Sequence, residues 1–303
     1  MIRILAVEIK RFMWRRSFRL FALLALGGIA LAATILFFTS DPAPEGARIA
    51  AETRQEIIAD CVRFMPKNQI PREYESAEEF CAESGPPIED LDPRFRLTTL
   101  QDIFQGTSIP LIILGLAFGA SFIGAEWHAG TVTPLLTWTP RRVHVFIGKV
   151  VAAVVGVLLF ALAMQAILGL VLWFVAAQRG TIEGADLAWL GETGAAASRG
   201  AIIAGLACTL GFAIASVARN TTVALIIGFV YFAVAESLIR GLKPAWQPWL
   251  IGDNAAAFVI GDPTSVFAAR GPDTVVGALL VVVGYSALAL IAATAWFQAR
   301  DVT

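Results

Sequence analysis

The sequence predicts an all-α polytopic membrane protein: six transmembrane helices, an N-terminal amphipathic elbow helix and a re-entrant segment before the last span. Three observations predict it. Of 303 residues, 57% are apolar or aromatic and only 16% charged, with a mean hydropathy of +0.71, whereas a soluble domain is about a quarter charged. Six stretches are long enough for a bilayer core and nearly free of charge. The net charge of −1 conceals a strong segregation of basic from acidic residues along the chain. This balance excludes a soluble globular domain, a disordered chain, a coiled coil and a nucleic-acid binder. Three cysteines are too few for a disulfide scaffold, and none forms a C-x-x-C pair.

Residues 1–19 read as an amphipathic helix. Ile2, Leu5, Ile9, Phe12 and Met13 share one sector, and Glu8, Arg11, Arg15 and Arg19 share another, the pattern of a helix lying in the membrane interface. The plainer alternative is a basic flank that only sets topology. The first span, 20–39, has an apolar stretch longer than the 7–15 residues of a signal peptide and no small-residue cleavage site after it. It is expected to stay as an anchor. The other spans are 107–125, 150–177, 200–218, 222–239 and 275–297. The third is too long for the hydrocarbon and must tilt or project beyond it.

The positive-inside rule places the N-terminus, and after six spans the C-terminus, in the cytoplasm. The segments then assigned inside hold 11 basic and three acidic residues, and the rest of the chain holds 12 basic and 21 acidic. The expected organisation is the elbow at 1–19 and a single six-span domain at 20–303. That domain includes an extracellular loop at 40–106, a cytoplasmic loop at 126–149 and an outer re-entrant region at 240–274. The extracellular loop carries Cys61 and Cys81 twenty residues apart, in a compartment where a disulfide persists. Whether the pair is bridged stays open, because spacing does not report the approach of the Cβ atoms. Its acids, Glu52, Glu56, Asp60, Glu73, Glu75, Glu78 and Glu79, read as a solvated face. In the outer region, Trp246 and Trp249 beside Pro244 and Pro248 suit an interfacial belt. The stretch 255–261 is too short to span and long enough to dip and return, with a surface loop as the alternative.

Sites of covalent chemistry are not expected, and neither is a metal or cofactor. Gly148-Lys149 is followed by Val150, so there is no Walker A sequence. His128 and His144 lack metal-ligand spacing, and no G-x-S-x-G elbow occurs. Asn220-Thr221-Thr222 is a sequon on the inner side, where glycosylation does not operate. Among polar residues inside spans, Glu236 precedes Arg240 by one helical turn, and pairing between them accounts for both. Gln165 and Cys208 read as packing residues. Gly115 and Gly119 form a G-x-x-x-G match, which lets helices approach closely.

The cytoplasmic loop carries the functional signal. It runs from Glu126 through Gly130-Thr131, Thr133-Pro134-Leu135-Leu136-Thr137-Trp138 and Thr139-Pro140-Arg141-Arg142 to Lys149. Each Thr-Pro can cap a helix and supply its first residue. The first such helix presents Leu135, Leu136 and Trp138 where no lipid buries them, so they need the elbow helix or a cytosolic partner.

An acid ending the second span, Gly-Thr, a Leu pair, Pro-Arg-Arg and a Lys entering the third span together resemble the membrane subunit of type 2 ABC exporters, the ABC-2 permease family. The resemblance covers most of the chain. It implies a coupling loop seated on a separate ABC ATP-binding subunit, a second permease subunit as homodimer or heterodimer, and transport without chemistry on this chain. Carried over by position, Glu126, Gly130 and Thr131 shape the turn. Leu135, Leu136 and Trp138 enter the ATPase groove, and Arg141 and Arg142 engage its surface or the lipid headgroups. Pro134 and the 67-residue outer loop depart from the family pattern. The apolar path between spans implies a hydrophobic or amphipathic cargo. Two other classes stay open: an ion-gradient carrier using Glu236, and a non-transporting receptor or immunity protein using its acidic outer loop. Nineteen arginines against four lysines and abundant alanine point to a GC-rich bacterium, hence its plasma membrane.

Overall fold

The computed structural model describes residues 14, 16–40, 45–66, 71, 74, 76–92, 94–130, 142–267 and 271–299, with the backbone alone for 47, 89, 90 and 142. Elbow residues 1–13 and 15 lie outside the described residues. Residues 16–19 belong to the same helix as the first span.

The helices are α1 (Arg16–Thr39), α2 (Gly46–Phe64), α3 (Ala77–Ser84), α4 (Ile88–Leu91), α5 (Leu100–His128) and α6 (Arg142–Arg179). They continue with α7 (Leu187–Ala218), α8 (Thr221–Phe229), α9 (Glu236–Leu242), α10 (Ile251–Ile260) and α11 (Val275–Ala299). A π-helical turn, Val230–Ala235, joins α8 to α9. Strand among the described residues is limited to β1 (Phe95–Arg96) and β2 (Gly180–Thr181), which pair in parallel. Among the described residues six helices are long and apolar enough to cross a membrane. The protein is an all-α polytopic membrane protein.

The span helices run beyond their apolar stretches, and two of them start at a capping side chain. At its start α7 is capped by Asp186, whose carboxylate accepts from Trp189 N at 2.8 Å. Asn220 caps α8 by accepting from Thr222 N and Val223 N at 2.8 and 3.2 Å, which gives the sequon residue a structural role. At 38 residues, α6 is about 57 Å long at 1.5 Å per residue, well beyond a hydrocarbon core of about 30 Å.

The chain forms two compact units. The larger holds residues 1–27, 100–168 and 186–303. Its centre is the contact of α5 with α7, made possible by small residues on both helices. A methyl group at Gly115 would overlap the Ala204 carbonyl, one at Gly119 the Cys208 carbonyl, and one at Gly211 the Leu116 carbonyl. The G-x-x-x-G match therefore serves packing within the chain, and Cys208, fully buried, sits on the same seam. Around it Phe118, Phe122, Phe146, Phe160 and Phe212 form the core, with Phe18 and Phe21 of α1 edge-on or tilted against Phe118 and Phe160. Gln165 of α6 is buried in this unit against Gly200, and neither of its amide atoms meets a hydrogen-bond partner among the described residues.

The smaller unit holds residues 28–99 and 169–185. Cys61 of α2 and Cys81 of α3 are joined as a disulfide, with Cα atoms 6.0 Å apart. Arg54 of α2 donates to the carbonyls of Pro86 and Ala82 at 3.0 and 2.7 Å. Phe95 N donates to Ser40 Oγ at 3.2 Å, and the Arg179 guanidinium lies 4.6 Å from the Phe37 ring. A side chain at Gly180 would run into the Phe95 carbonyl, so the two strands pair only because this position is bare. Asp92 ends α4, accepting from Arg94 N at 3.0 Å and from the Arg94 guanidinium at 2.7 Å. The Arg94 guanidinium beside it holds the Asp92 carboxyl below the usual carboxylate value.

Candidate functional site

The loop 126–149 leaves α5 and returns into α6, and both of its ends are held at one point. The Lys149 ammonium meets Glu126 Oε1 at 2.9 Å, with the two side chains 5% and 14% exposed. A charge so enclosed is stable only when paired. The same ammonium lies 5.8 Å from the Phe122 ring. Next to Glu126, Trp127 packs edge-on to Phe297 of α11, with centroids 6.2 Å apart, and Phe297 in turn packs on Phe146 of α6 at 5.1 Å. The Arg219 guanidinium covers the other part of Trp127 at 4.5 Å, at the residue that ends α7 with φ 54. Elements α5, α6, α7 and α11 thus converge on the root of this loop.

Gly130 ends α5 with φ +66, and its N–H donates to the Trp127 carbonyl at 3.1 Å. Nothing stands near its missing Cβ, so the demand for glycine there is conformational. Thr131, Leu135, Leu136, Trp138 and Arg141 lie outside the described residues. Arg142 is the first residue of α6, with only its backbone described.

A second polar site lies among α5, α7, the α8–α9 segment and α10. These elements line a cavity of about 1000 Å³. Glu236, 2% exposed, accepts from Gly252 N of α10 at 2.8 Å, and the Tyr231 side chain reaches the same carboxylate. Arg240 makes its close contacts with Asp253 of α10, at 2.6 and 3.3 Å. It stands 3.9 Å from Glu236. The one-turn pairing of Glu236 and Arg240 is therefore the weaker contact, and the principal partner of Arg240 is Asp253. Asn254 reinforces the start of α10, its amide donating to the carbonyls of Pro248 and Leu250 at 2.8 Å each. The ten-residue α10 lies where the dipping segment is expected, and it begins at Ile251, four residues before the apolar stretch that marks it.

A family model described as ABC-2 family transporter protein matches residues 2–247. The chain belongs to this family. No curated protein and no solved structure matches the chain. As an ABC-2 permease it is a membrane component of a transporter and not itself an enzyme. The matched residues include α5, Glu126, Lys149 and Glu236. They stop short of α10.

In this permease the structure joins Glu126 to Lys149 and Cys61 to Cys81. Sequence reasoning missed Trp127, Arg219 and Phe297 as supports of the loop, since their proximity depends on three helix ends meeting. It also missed Asp253, although an acid followed by Asn in an otherwise apolar stretch, Leu250 to Gly261, was a visible signal of a buried partner.

Proposed function

We infer that this chain is the permease subunit of an ATP-driven exporter that moves a hydrophobic or amphipathic substrate out across a bacterial plasma membrane. The observation that carries this reading is the Lys149–Glu126 bond, which closes the root of loop 126–149 against four converging helices. A loop anchored so firmly can pass displacement to the bundle instead of absorbing it. Family membership supports the kind of partner, an ABC ATP-binding subunit, and a second permease subunit completes the path. Glu126, Gly130 and Thr131 shape the turn, Leu135, Leu136 and Trp138 fill the ATPase groove, and Arg141 and Arg142 engage the partner surface or lipid headgroups. The loop and both termini face the cytoplasm, and Cys61 and Cys81 of loop 40–106 face the oxidising side, where a disulfide persists.

ATP binding drives transport only through contacts that differ between the inward and outward states. In this arrangement the loop root is where such a difference enters α5, α6, α7 and α11 together. Copurification tests the assignment. Leu135→Asp or Trp138→Asp is expected to lower recovery of the ATP-binding subunit with the tagged permease. Unchanged recovery and unchanged transport in both variants reject the loop as the docking element.

A further inference from the structure

The cavity among α5, α7, the α8–α9 segment and α10 has apolar walls and an unbalanced set of charges. Ile109, Ile113, Leu116, Phe232 and Ile260 represent the walls. Among the described residues the charged lining consists of Asp102, Glu236 and Asp253 against Arg240. That single guanidinium is committed to Asp253 at 2.6 Å and stands 3.9 Å from Glu236. Glu236 is held most closely by the Gly252 amide and Tyr231, which are dipoles, while Arg240 shares its one charge between Glu236 and the nearer Asp253. A carboxylate 2% exposed within a span is costly unless a full positive charge faces it. A volume of about 1000 Å³ is at the upper end of the range for small-molecule sites.

The geometry points to a binding site for a drug-sized amphipathic cation, its apolar body against the Ile113, Leu116 and Phe232 wall and its positive centre facing the carboxylates of the cavity, Glu236 foremost. An anion of the same shape meets two excess carboxylates and is rejected. On the exporter reading above this cation is the cargo, and the inference deepens that reading by naming the cargo's chemical class. One wall, α10, with the charge of Asp253 and the amide of Gly252, lies beyond the residues matched to the family.

Equilibrium binding to the purified full chain in lipid nanodiscs, without ATP or an ATPase, tests the site. The probes are tetraphenylphosphonium and the isosteric anion tetraphenylborate. The phosphonium is expected to bind saturably and at least about tenfold more tightly than the borate, and Glu236→Gln is expected to weaken it about tenfold. Asp102 is exposed, so Asp102→Asn keeps the fold and is expected to weaken the cation alone, which decides the matter if Glu236→Gln does not assemble. Ile113 is 62% exposed and lines the cavity, and Ile113→Trp takes up part of that space and is expected to weaken both probes. Equal binding of the two ions, or cation binding unchanged in the Asp102 and Ile113 variants, overturns the proposal. Loss of the site with intact ATPase copurification leaves the exporter reading standing, and loss of copurification with intact cation binding leaves the site standing.

Discussion

Lys149 is a cation inside a span helix, 4% exposed, and its stability rests on Glu126. Lys149→Met leaves the Glu126 carboxylate without this ammonium. Removing one partner of an enclosed pair costs about 3–5 kcal/mol, and removing both charges avoids most of that penalty. The single variant is therefore expected to melt well below the parent in detergent, and Glu126→Gln with Lys149→Met to recover most of the loss. A double variant as unstable as the single one would show that the loss does not come from the charge left on Glu126. Glycine on α5 gives a second residue-scale prediction. Gly119→Leu forces a side chain into the Cys208 carbonyl and is expected to cost about 1–3 kcal/mol or more, whereas Gly106→Leu on the same helix enters open space and is expected to be close to neutral. Thermal unfolding of the two variants measures the contrast. The motif itself was legible in the sequence. Its partner was not, because any small-residue stripe on any span would have satisfied it.

Among elements, α2 and α3 depend on their bridge. The Cys61–Cys81 link closes a loop of 20 residues, for which the chain-entropy model gives about 3 kcal/mol of stabilisation. Paired Cys61→Ser and Cys81→Ser is expected to speed amide hydrogen exchange across 46–64 and 77–84 while leaving α5 and α7 protected. Near the end of the same unit, Asp92 has a folded pKa below its ordinary value of 3.8 because Arg94 favours the charged form. The stability it contributes is thus fully present above the ordinary carboxylate value and is lost as pH falls through the lowered folded value. Protection of residues 88–96, taken relative to intrinsic amide exchange, is expected to fall only below about pH 4, and Asp92→Asn to make that protection independent of pH in this range. The π turn before Glu236 belongs to this scale too. An α-helix turns about 100° per residue, so one extra residue in a turn resets the faces that follow. Apolar periodicity across 222–239 had no means of announcing it, and with it went the direction in which Glu236 and Arg240 address α10.

Over the whole molecule, the segregation of 11 basic residues from 21 acidic ones carries a topological prediction. A cysteine placed at Glu52 is expected to react with a membrane-impermeant maleimide in intact cells once native thiols are accounted for. One placed at His128 is expected to react only after permeabilisation. The opposite pattern would put loop 126–149 outside, where no ATP-binding subunit can reach it.

Span number, span order and the charge polarity of this ABC-2 permease were determined by the sequence itself, because transfer of a side chain into lipid is a local property that adds along a window. The tertiary structure alone decided which carboxylate Arg240 serves, which helix the glycines of α5 meet, and that Trp127, Arg219 and Phe297 brace the loop root. Those outcomes are contacts between residues 13 to 170 positions apart, and a contact of that kind depends on how helix axes cross, a quantity no stretch of sequence carries on its own.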